Sequence, residues 1–181
     1  MKKLFISLLL AGLAVLNVAG QQRLKNQYVI NASGNYIFND AWGARVGLEK
    51  FLGTSYSSLH VNFMYNHLKY ITNVEGEKAR SQMFLANAAY GYSLEKVIPT
   101  PFYINFSLGA VAGYEDIDVT LKTSVTDVKS KFVWGFNVNT QFEYILYKQL
   151  SLYLEPEFIY LLNSDTEKGL FSLGLGMKFY W

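Results

Sequence analysis

The sequence predicts an all-β protein: a transmembrane, antiparallel, up-and-down β-barrel of about eight strands that follows a cleavable signal peptide. Three observations support this prediction. Two lysines and a short apolar run begin the chain. Most of the remaining chain alternates apolar and polar residues with a period of two, which is the period of a β-strand. The last residue, Trp181, is aromatic, as expected of a side chain at a membrane interface.

A secretory signal peptide is predicted at residues 1–20. Lys2 and Lys3 precede an uncharged, mostly apolar run that ends at Val18. This run is shorter than the roughly 18 apolar residues that a spanning helix needs, and cleavage between Gly20 and Gln21 fits the small-residue rule. We therefore expect residues 21–181 to form one outer-membrane β-barrel domain, with a retained N-terminal anchor as the alternative.

Composition excludes several other classes of protein. The chain has no cysteine, so a lipoprotein anchor, a disulfide and a thiol nucleophile are excluded. After residue 20 no apolar run is long enough to cross a bilayer as a helix. Removal of Lys2 and Lys3 leaves 14 of the 16 basic residues against 14 acidic ones. A neutral chain lacks the basic patch typical of nucleic-acid binding, so we expect no direct nucleic-acid binding.

Eight segments carry the strand pattern, each with one apolar face. The first segment covers residues 28–36 and alternates least clearly. The apolar faces of the next three are Trp42, Ala44, Val46 and Leu48; Leu59, Val61, Phe63 and Tyr65; and Phe84, Ala86, Ala88, Tyr90 and Tyr92. Those of the last four are Phe102, Ile104, Phe106, Leu108, Ala110, Ala112 and Tyr114; Phe132, Trp134, Phe136, Val138, Phe142, Tyr144 and Leu146; Leu150, Leu152, Leu154, Pro156, Phe158, Tyr160 and Leu162; and Phe171, Leu173, Leu175, Met177, Phe179 and Trp181.

The connections alternate between short and long, as expected of a barrel with both termini in the periplasm. Tyr147 and Lys148 predict a very short turn, and Pro99 and Pro101 break the chain between the fourth and fifth strands. The polar segments of the opposite end are residues 72–80, 116–130 and 163–168. Residues 116–130 keep some alternation, which predicts a hairpin that projects beyond the bilayer.

A secreted soluble barrel of the lipocalin type is the main alternative fold, and in it the apolar face would point inward. Many of the predicted strands run 12 residues or more, which is long for a small soluble barrel. Aromatic residues lie near the strand ends, where they suit two interfacial girdles. The opposite face is rich in Gly, Ser and Asn, which fits a narrow lumen filled by side chains. The membrane barrel is therefore favoured.

Seven charged residues fall on the face that is predicted to line the lumen. They are Arg45, Glu49, Glu115, Glu143, Glu155, Glu157 and Lys178. Because an unpaired charge in a low-dielectric lumen costs several kcal/mol, these side chains should pair or remain hydrated. We favour a salt-bridged plug. A proton or ion path, or carboxylates placed for acid–base chemistry, is the alternative.

Signals of catalysis or of metal binding are weak. His60 and His67 lie seven residues apart on one strand, so they face opposite sides and do not chelate one metal together. A hydrolase of the barrel type would need a histidine at a rim, and His67 is the sole candidate. We expect no enzymatic activity, no metal and no cofactor.

The last strand carries a predicted assembly signal. Outer-membrane barrels end in a pattern that resembles polar-x-Gly-x-x-apolar-x-apolar and that the barrel-assembly machinery reads. Gly176, Phe179 and Trp181 fall on this spacing, although Gly174 replaces the usual polar residue. The expected partners are therefore outer membrane lipid and the assembly machinery of a Gram-negative bacterium.

Two blocks of the chain resemble the outer-membrane TraO proteins of conjugative transposons in Bacteroidetes. One is residues 102–116, FYINFSLGAVAGYED, and the other is residues 135–181, which include GFNVNTQFEYILYKQLSLYLEPEFIYLL and FSLGLGMKFYW. The N-terminal third is less similar. This resemblance implies an outer-membrane component of a type IV secretion-like conjugation apparatus, with an anchoring role beside other conjugal transfer proteins. A free-standing surface barrel, adhesive or envelope-structural, is the alternative function.

Overall fold

The structure, a computed structural model, describes residues 26–38, 41–53, 56–71, 78–94, 101–119, 129–147 and 149–181. Its strands, in chain order, are β1 (Tyr28–Ile37), β2 (Ala41–Phe51), β3 (Ser57–Ile71), β4 (Lys78–Ser93), β5 (Phe102–Val119), β6 (Lys129–Tyr147), β7 (Leu150–Leu161) and β8 (Gly169–Tyr180). Every strand pairs antiparallel with the next, and β1 pairs with β8, which closes the barrel. The predicted fold class and strand number are confirmed. The predicted signal peptide, with Gly20 and Gln21, lies outside the described residues.

Closure of the sheet and side-chain alternation explain this architecture together. A closed barrel has no unpaired strand edge, and side chains point alternately inward and outward. The outward side chains are the apolar ones: Phe63, Leu108 and Leu175 are 61%, 61% and 65% exposed. A lipocalin-type barrel would bury this face, so that alternative is excluded. Among the described residues, no helix is long and apolar enough to cross a membrane.

The two ends of the barrel differ. At the turn end, residues 52–56 connect β2 to β3, and the Trp181 backbone N–H donates to the Tyr28 carbonyl at 3.0 Å. At the opposite, loop end, residues 162–168 connect β7 to β8. The longest strands, β5 and β6, extend toward the loop end, where Ile117 pairs with Lys129.

Part of the sequence predicted as polar connection is strand. Residues 78–80 belong to β4, residues 116–119 to β5 and residues 129–130 to β6. Their backbone groups pair with the neighbouring strand, so the ladders continue beyond the point where the outward apolar pattern fades. The remainder of these segments, residues 72–77 and 120–128, lies outside the described residues, as does Lys148 of the predicted short turn.

The barrel interior has a polar part and an apolar part. The apolar part consists of two clusters of buried side chains. The smaller one lies at the turn end and contains Val29, Phe51 and Tyr180. Most residues of the larger one come from the loop-end halves of their strands: Ile37, Ala41, Met64, Leu68, Met83, Leu85, Val111, Val133, Ile159, Leu161 and Leu170. The expectation of a lumen lined by Gly, Ser, Asn and charges was therefore incomplete. These apolar residues occupy inward positions. Their neighbours on the outward face are more strongly apolar, so the alternation does not single them out in the sequence.

Candidate functional site

All seven predicted charged residues lie inside the barrel. Each of them is at most 3% exposed. They come from five strands, β2, β5, β6, β7 and β8, and each lies at an inward position of its strand. The structure divides them into three groups, which we call the Arg45 cluster, the Lys178 cluster and the Glu115 rim.

The Arg45 cluster joins β2 to β7, which β1 and β8 separate in the wall. Arg45 on β2 donates through Nη1 to Glu155 Oε1 at 2.6 Å and through Nη2 to Glu157 Oε2, both on β7. Gln141 Nε2 donates to Glu155 Oε1 at 3.3 Å, and Asn137 Nδ2 donates to Glu157 Oε1 at 2.9 Å. The planar guanidinium suits two carboxylates because it presents parallel donors in a fixed fork.

The Lys178 cluster lies nearer the turn end. Lys178 Nζ is 2.8 Å from Glu49 Oε2 and 3.2 Å from Glu143 Oε2. Glu143 Oε1 also accepts hydrogen bonds from Ser151 Oγ at 2.7 Å and from the Tyr180 hydroxyl. Three strands, β2, β6 and β8, therefore converge on one ammonium group.

His60 belongs to this neighbourhood, although the sequence predicts only that it does not share a metal with His67. Its Nε2 is 3.6 Å from Glu49 Oε1 and 2.8 Å from Ser58 Oγ. The signal was present in the sequence, because His60 shares the inward phase of β3 with Asn62. His67 lies on the outward side of the same strand, with its ring centroid 5.8 Å from that of Trp42. The two histidines therefore lie on opposite sides of the wall, as predicted.

A chain of asparagines connects the barrel walls beside the Arg45 cluster. Asn62 Nδ2 donates to Asn87 Oδ1 at 3.1 Å, and Asn87 Nδ2 donates to Asn137 Oδ1 at 2.6 Å. Asn137 in turn donates to Glu157. An amide side chain both donates and accepts, so these residues continue the network from β3 through β4 and β6 to β7. Sequence reasoning placed them on the inner face without predicting this connection.

The Glu115 rim differs from the other two groups because its carboxylate is bound by hydroxyl groups. Ser164 Oγ lies 3.0 Å from Glu115 Oε2, the Thr166 hydroxyl donates to Oε1, and the Asp165 backbone N–H donates to Oε2 at 3.3 Å. Ser81 Oγ of β4 adds a hydrogen bond at 3.4 Å. Within the described ranges, no basic side chain forms an ion pair with Glu115, so it stands outside the predicted salt-bridged set. These hydrogen bonds hold residues 164–166, which belong to the connection between β7 and β8, over the loop end of the barrel.

The contacts of the Arg45 and Lys178 clusters favour a structural role for these charges over a catalytic one. In the Arg45 and Lys178 clusters, four carboxylates surround two cations, and both cations bridge different strands. Each cation thus lies within ion-pair distance of two buried carboxylates, as a charge removed from water requires. In the part of the chain that the structure describes, no group of three or more His, Cys, Asp or Glu side chains could hold a metal ion.

The residues of the predicted assembly signal lie on both faces of β8 and at its end. Phe179 and Trp181 point outward and are 46% and 64% exposed. Gly176 points inward, where a Cβ would lie 2.5 Å from the ring of Tyr153. An aromatic residue thus occupies the lumen space that a side chain at position 176 would need.

Comparison with known proteins identifies the family. Residues 7–179 match the family described as outer membrane protein beta-barrel domain. The chain belongs to this family. As an outer-membrane β-barrel, it crosses the outer membrane with its eight strands, and its outward apolar face contacts lipid. No curated protein sequence matches the chain.

Three solved structures of similar fold are outer-membrane proteins. A major outer membrane protein from Thermus thermophilus is 11% identical, with a TM-score of 0.67, and the match covers 86% of this chain and 98% of that one. OprG from Pseudomonas aeruginosa is 11% identical, with a TM-score of 0.67 and coverage of 90% and 99%. The N-terminal β-barrel domain of Pseudomonas aeruginosa OprF is 18% identical, with a TM-score of 0.56 and coverage of 87% and 98%. At these identities the similarity establishes the fold alone.

Proposed function

We propose that this outer-membrane β-barrel is an architectural component of a conjugative DNA-transfer apparatus of the type IV secretion-like kind. In this role it anchors other conjugal transfer proteins at the outer membrane and has no enzymatic activity. The observation that best supports an architectural role is the filled lumen. Arg45 and Lys178 form buried ion pairs inside it, between strands that are not neighbours in the wall.

Because side chains fill the lumen, other proteins have to bind to the surfaces at the ends of the barrel. An eight-stranded barrel has an interior just wide enough for side chains to fill. Here an apolar cluster occupies one part and buried ion pairs occupy another. DNA, a pilus and a folded protein are all far wider than this interior. Contact with other transfer proteins therefore takes place at the turn end or the loop end.

The preferred contact regions are residues 116–130 and 72–80, and the described ends of the first belong to the hairpin of β5 and β6. These strands have 18 and 19 residues, whereas about 9–11 tilted residues cross a bilayer. Asp116 pairs with Ser130 near the loop end, and the Ser130 hydroxyl donates to the Asp116 carboxylate. The hairpin therefore reaches beyond the membrane as a paired ladder. The resemblance of residues 102–116 and 135–181 to TraO proteins supports conjugation as the process.

Deletion of the gene tests the conjugation role. We expect the mating frequency of donor cells to fall sharply and to recover when the wild-type gene is supplied in trans. The same deletion in the recipient serves as the control, because a donor apparatus is not needed there. Undiminished transfer from the deleted donor would contradict the proposal and would favour a free-standing surface barrel.

Crosslinking tests the contact region. A photoreactive amino acid at Asp116 or Ser130 should capture other conjugal transfer proteins in mating cells, identified by mass spectrometry. The same amino acid at Ala88, which faces lipid near the middle of β4, is the matched control and should capture none of them. Equal capture from Ala88 and Asp116 would remove the hairpin from the proposal.

A further inference from the structure

Two cations face each other on the outer wall of the barrel near the loop end. Lys69 of β3 and Arg80 of β4 are directly opposed in the β3–β4 register, and both side chains are exposed. Both occupy outward positions, because the exposed residues of β3 are odd-numbered and those of β4 are even-numbered. Like charges directly opposite each other on a sheet are destabilising. Asp118 is the residue opposite Arg80 in the β4–β5 register, so these three paired positions hold two basic residues and one acidic residue in the sequence.

An apolar groove runs along the same outer wall, on β1, β2, β7 and β8. One part of it, of about 570 Å³, is lined by small outward residues, Ala32, Gly34 and Ala44, and edged by larger ones such as Leu175 and Met177. A second part, of about 420 Å³, continues from Gly34 and Leu175 to Tyr36 and Trp42. A Cβ added at Gly34 would meet nothing within 4 Å, so the groove is open to the membrane at this point.

Trp42 connects the groove to the two cations. It lines the groove and contacts the ring of His67 on β3, with 5.8 Å between the centroids. Lys69 lies two residues beyond His67, about 7 Å further toward the loop end at the rise of a β-strand. The outer wall therefore presents, in order, a cationic pair, a layer of aromatic side chains and an apolar groove. A lipid has the complementary order of anionic headgroup, interface and acyl chain.

We propose that this wall is a binding site for one molecule of the phosphorylated glycolipid of the outer leaflet, lipid A. Lys69 and Arg80 bind a phosphate of the headgroup, and an acyl chain lies in the groove beside Gly34 and Ala44. The phosphate relieves the repulsion between the two cations, and basic pockets on membrane proteins bind lipid headgroups in this way. The loop end faces the outside of the cell, because the longer connections of such barrels are extracellular. That orientation selects the outer-leaflet glycolipid over a periplasmic-leaflet phospholipid.

The test measures the affinity of the purified full-length barrel in detergent for bisphosphorylated lipid A. The double variant Lys69→Gln with Arg80→Gln should bind about thirtyfold more weakly, since each basic residue near a charged lipid surface contributes roughly a factor of five. Gly34→Leu should weaken binding by at least about fourfold, since each displaced methylene costs roughly that factor. Heat-modifiable migration of each variant confirms that the barrel is folded.

Two control variants change similar groups elsewhere on the wall. Lys50→Gln removes an outward cation at the turn end, where Lys50 Nζ lies 5.0 Å from the centroid of the Tyr28 ring. Ala88→Leu enlarges a small outward residue on β4, away from the groove. Both should bind lipid A as the wild type does.

Binding of two further lipids shows how much of the affinity depends on the phosphate groups of lipid A. Dephosphorylated lipid A should bind about as weakly to the wild type as lipid A binds to the double variant, and phosphatidylglycerol should bind more weakly than lipid A. Unchanged lipid A affinity of the double variant, or equal affinity for phosphatidylglycerol, would overturn the proposal. The proposal does not depend on a role in conjugation.

Discussion

Lys178 of β8 donates a hydrogen bond to Glu49 of β2 at 2.8 Å, although 129 positions separate them in the sequence. Both side chains are at most 1% exposed. In the wall, β1 lies between these two strands and pairs with both. The contact therefore spans the seam where the first strand meets the last, and it forms only in the closed barrel. Glu143 of β6 joins the same ammonium group from the other side.

Replacing this lysine should destabilise the barrel strongly. Lys178→Met would leave Glu49 and Glu143 buried near each other without their cation, and loss of one partner of a buried pair costs about 3–5 kcal/mol. Urea unfolding in lipid vesicles, followed by tryptophan fluorescence, measures this cost. Lys50→Met, at an exposed position, is the control and should change the free energy of unfolding little. A Lys178→Met barrel as stable as the control would show that the pair contributes nothing.

Loss of Glu115 should release the connection between β7 and β8. In Glu115→Ala, the Ser164 and Thr166 hydroxyls lose their shared acceptor, and each hydrogen bond to a charged group contributes about 1.5–3 kcal/mol. Trypsin should then cleave after the exposed Lys168 at least about tenfold faster, since local opening limits cleavage of a held loop. Mass spectrometry of the fragments measures the rate. Asp116→Ala changes the neighbouring carboxylate, and an equal rate in that control would contradict this explanation.

Two glycines should differ in their tolerance of a methyl group. At Gly135 on β6, an added Cβ would overlap the backbone carbonyl oxygen of Tyr160 on β7. Gly135→Ala should therefore cost about 1–3 kcal/mol through strain in the β6–β7 ladder. At Gly34 the added group meets open space, so Gly34→Ala should stay within about 0.5 kcal/mol of the wild type. The comparison uses the same urea unfolding assay, and equal costs would refute the steric argument.

The end of β8 should be needed for membrane assembly. Phe179→Ala with Trp181→Ala removes the two outward aromatic side chains of the predicted assembly signal, so most of the protein should fail to reach the heat-modifiable form in the outer-membrane fraction. Phe132→Ala with Trp134→Ala removes the same residue types from outward positions on β6 that are similarly exposed. A normal barrel yield from the β8 variant, or an equal loss in both variants, would contradict a specific signal.

Much of the fold follows from local pattern. In β8, Leu173, Leu175 and Met177 point outward and Lys178 points inward, as the alternation predicts. Strand limits were less predictable at the loop end, where residues 116–119 continue β5 by pairing with a neighbouring strand. The apolar lumen cluster was also missed, because Met64, Met83 and Val133 lie between more strongly apolar outward residues. The inward phase of these residues was nevertheless readable in the sequence.

The sequence by itself determined which side of the wall each residue faces, because successive side chains of a strand alternate whatever the strand pairs with. It could not determine which inward residues meet. Arg45 contacts Glu155 and Glu157, and Lys178 contacts Glu49 and Glu143, although every one of these residues is simply an inward charge in the sequence. Those pairs depend on strand register and on the tilt that closes the barrel. Only the tertiary structure sets these quantities, because they arise from all eight strands together.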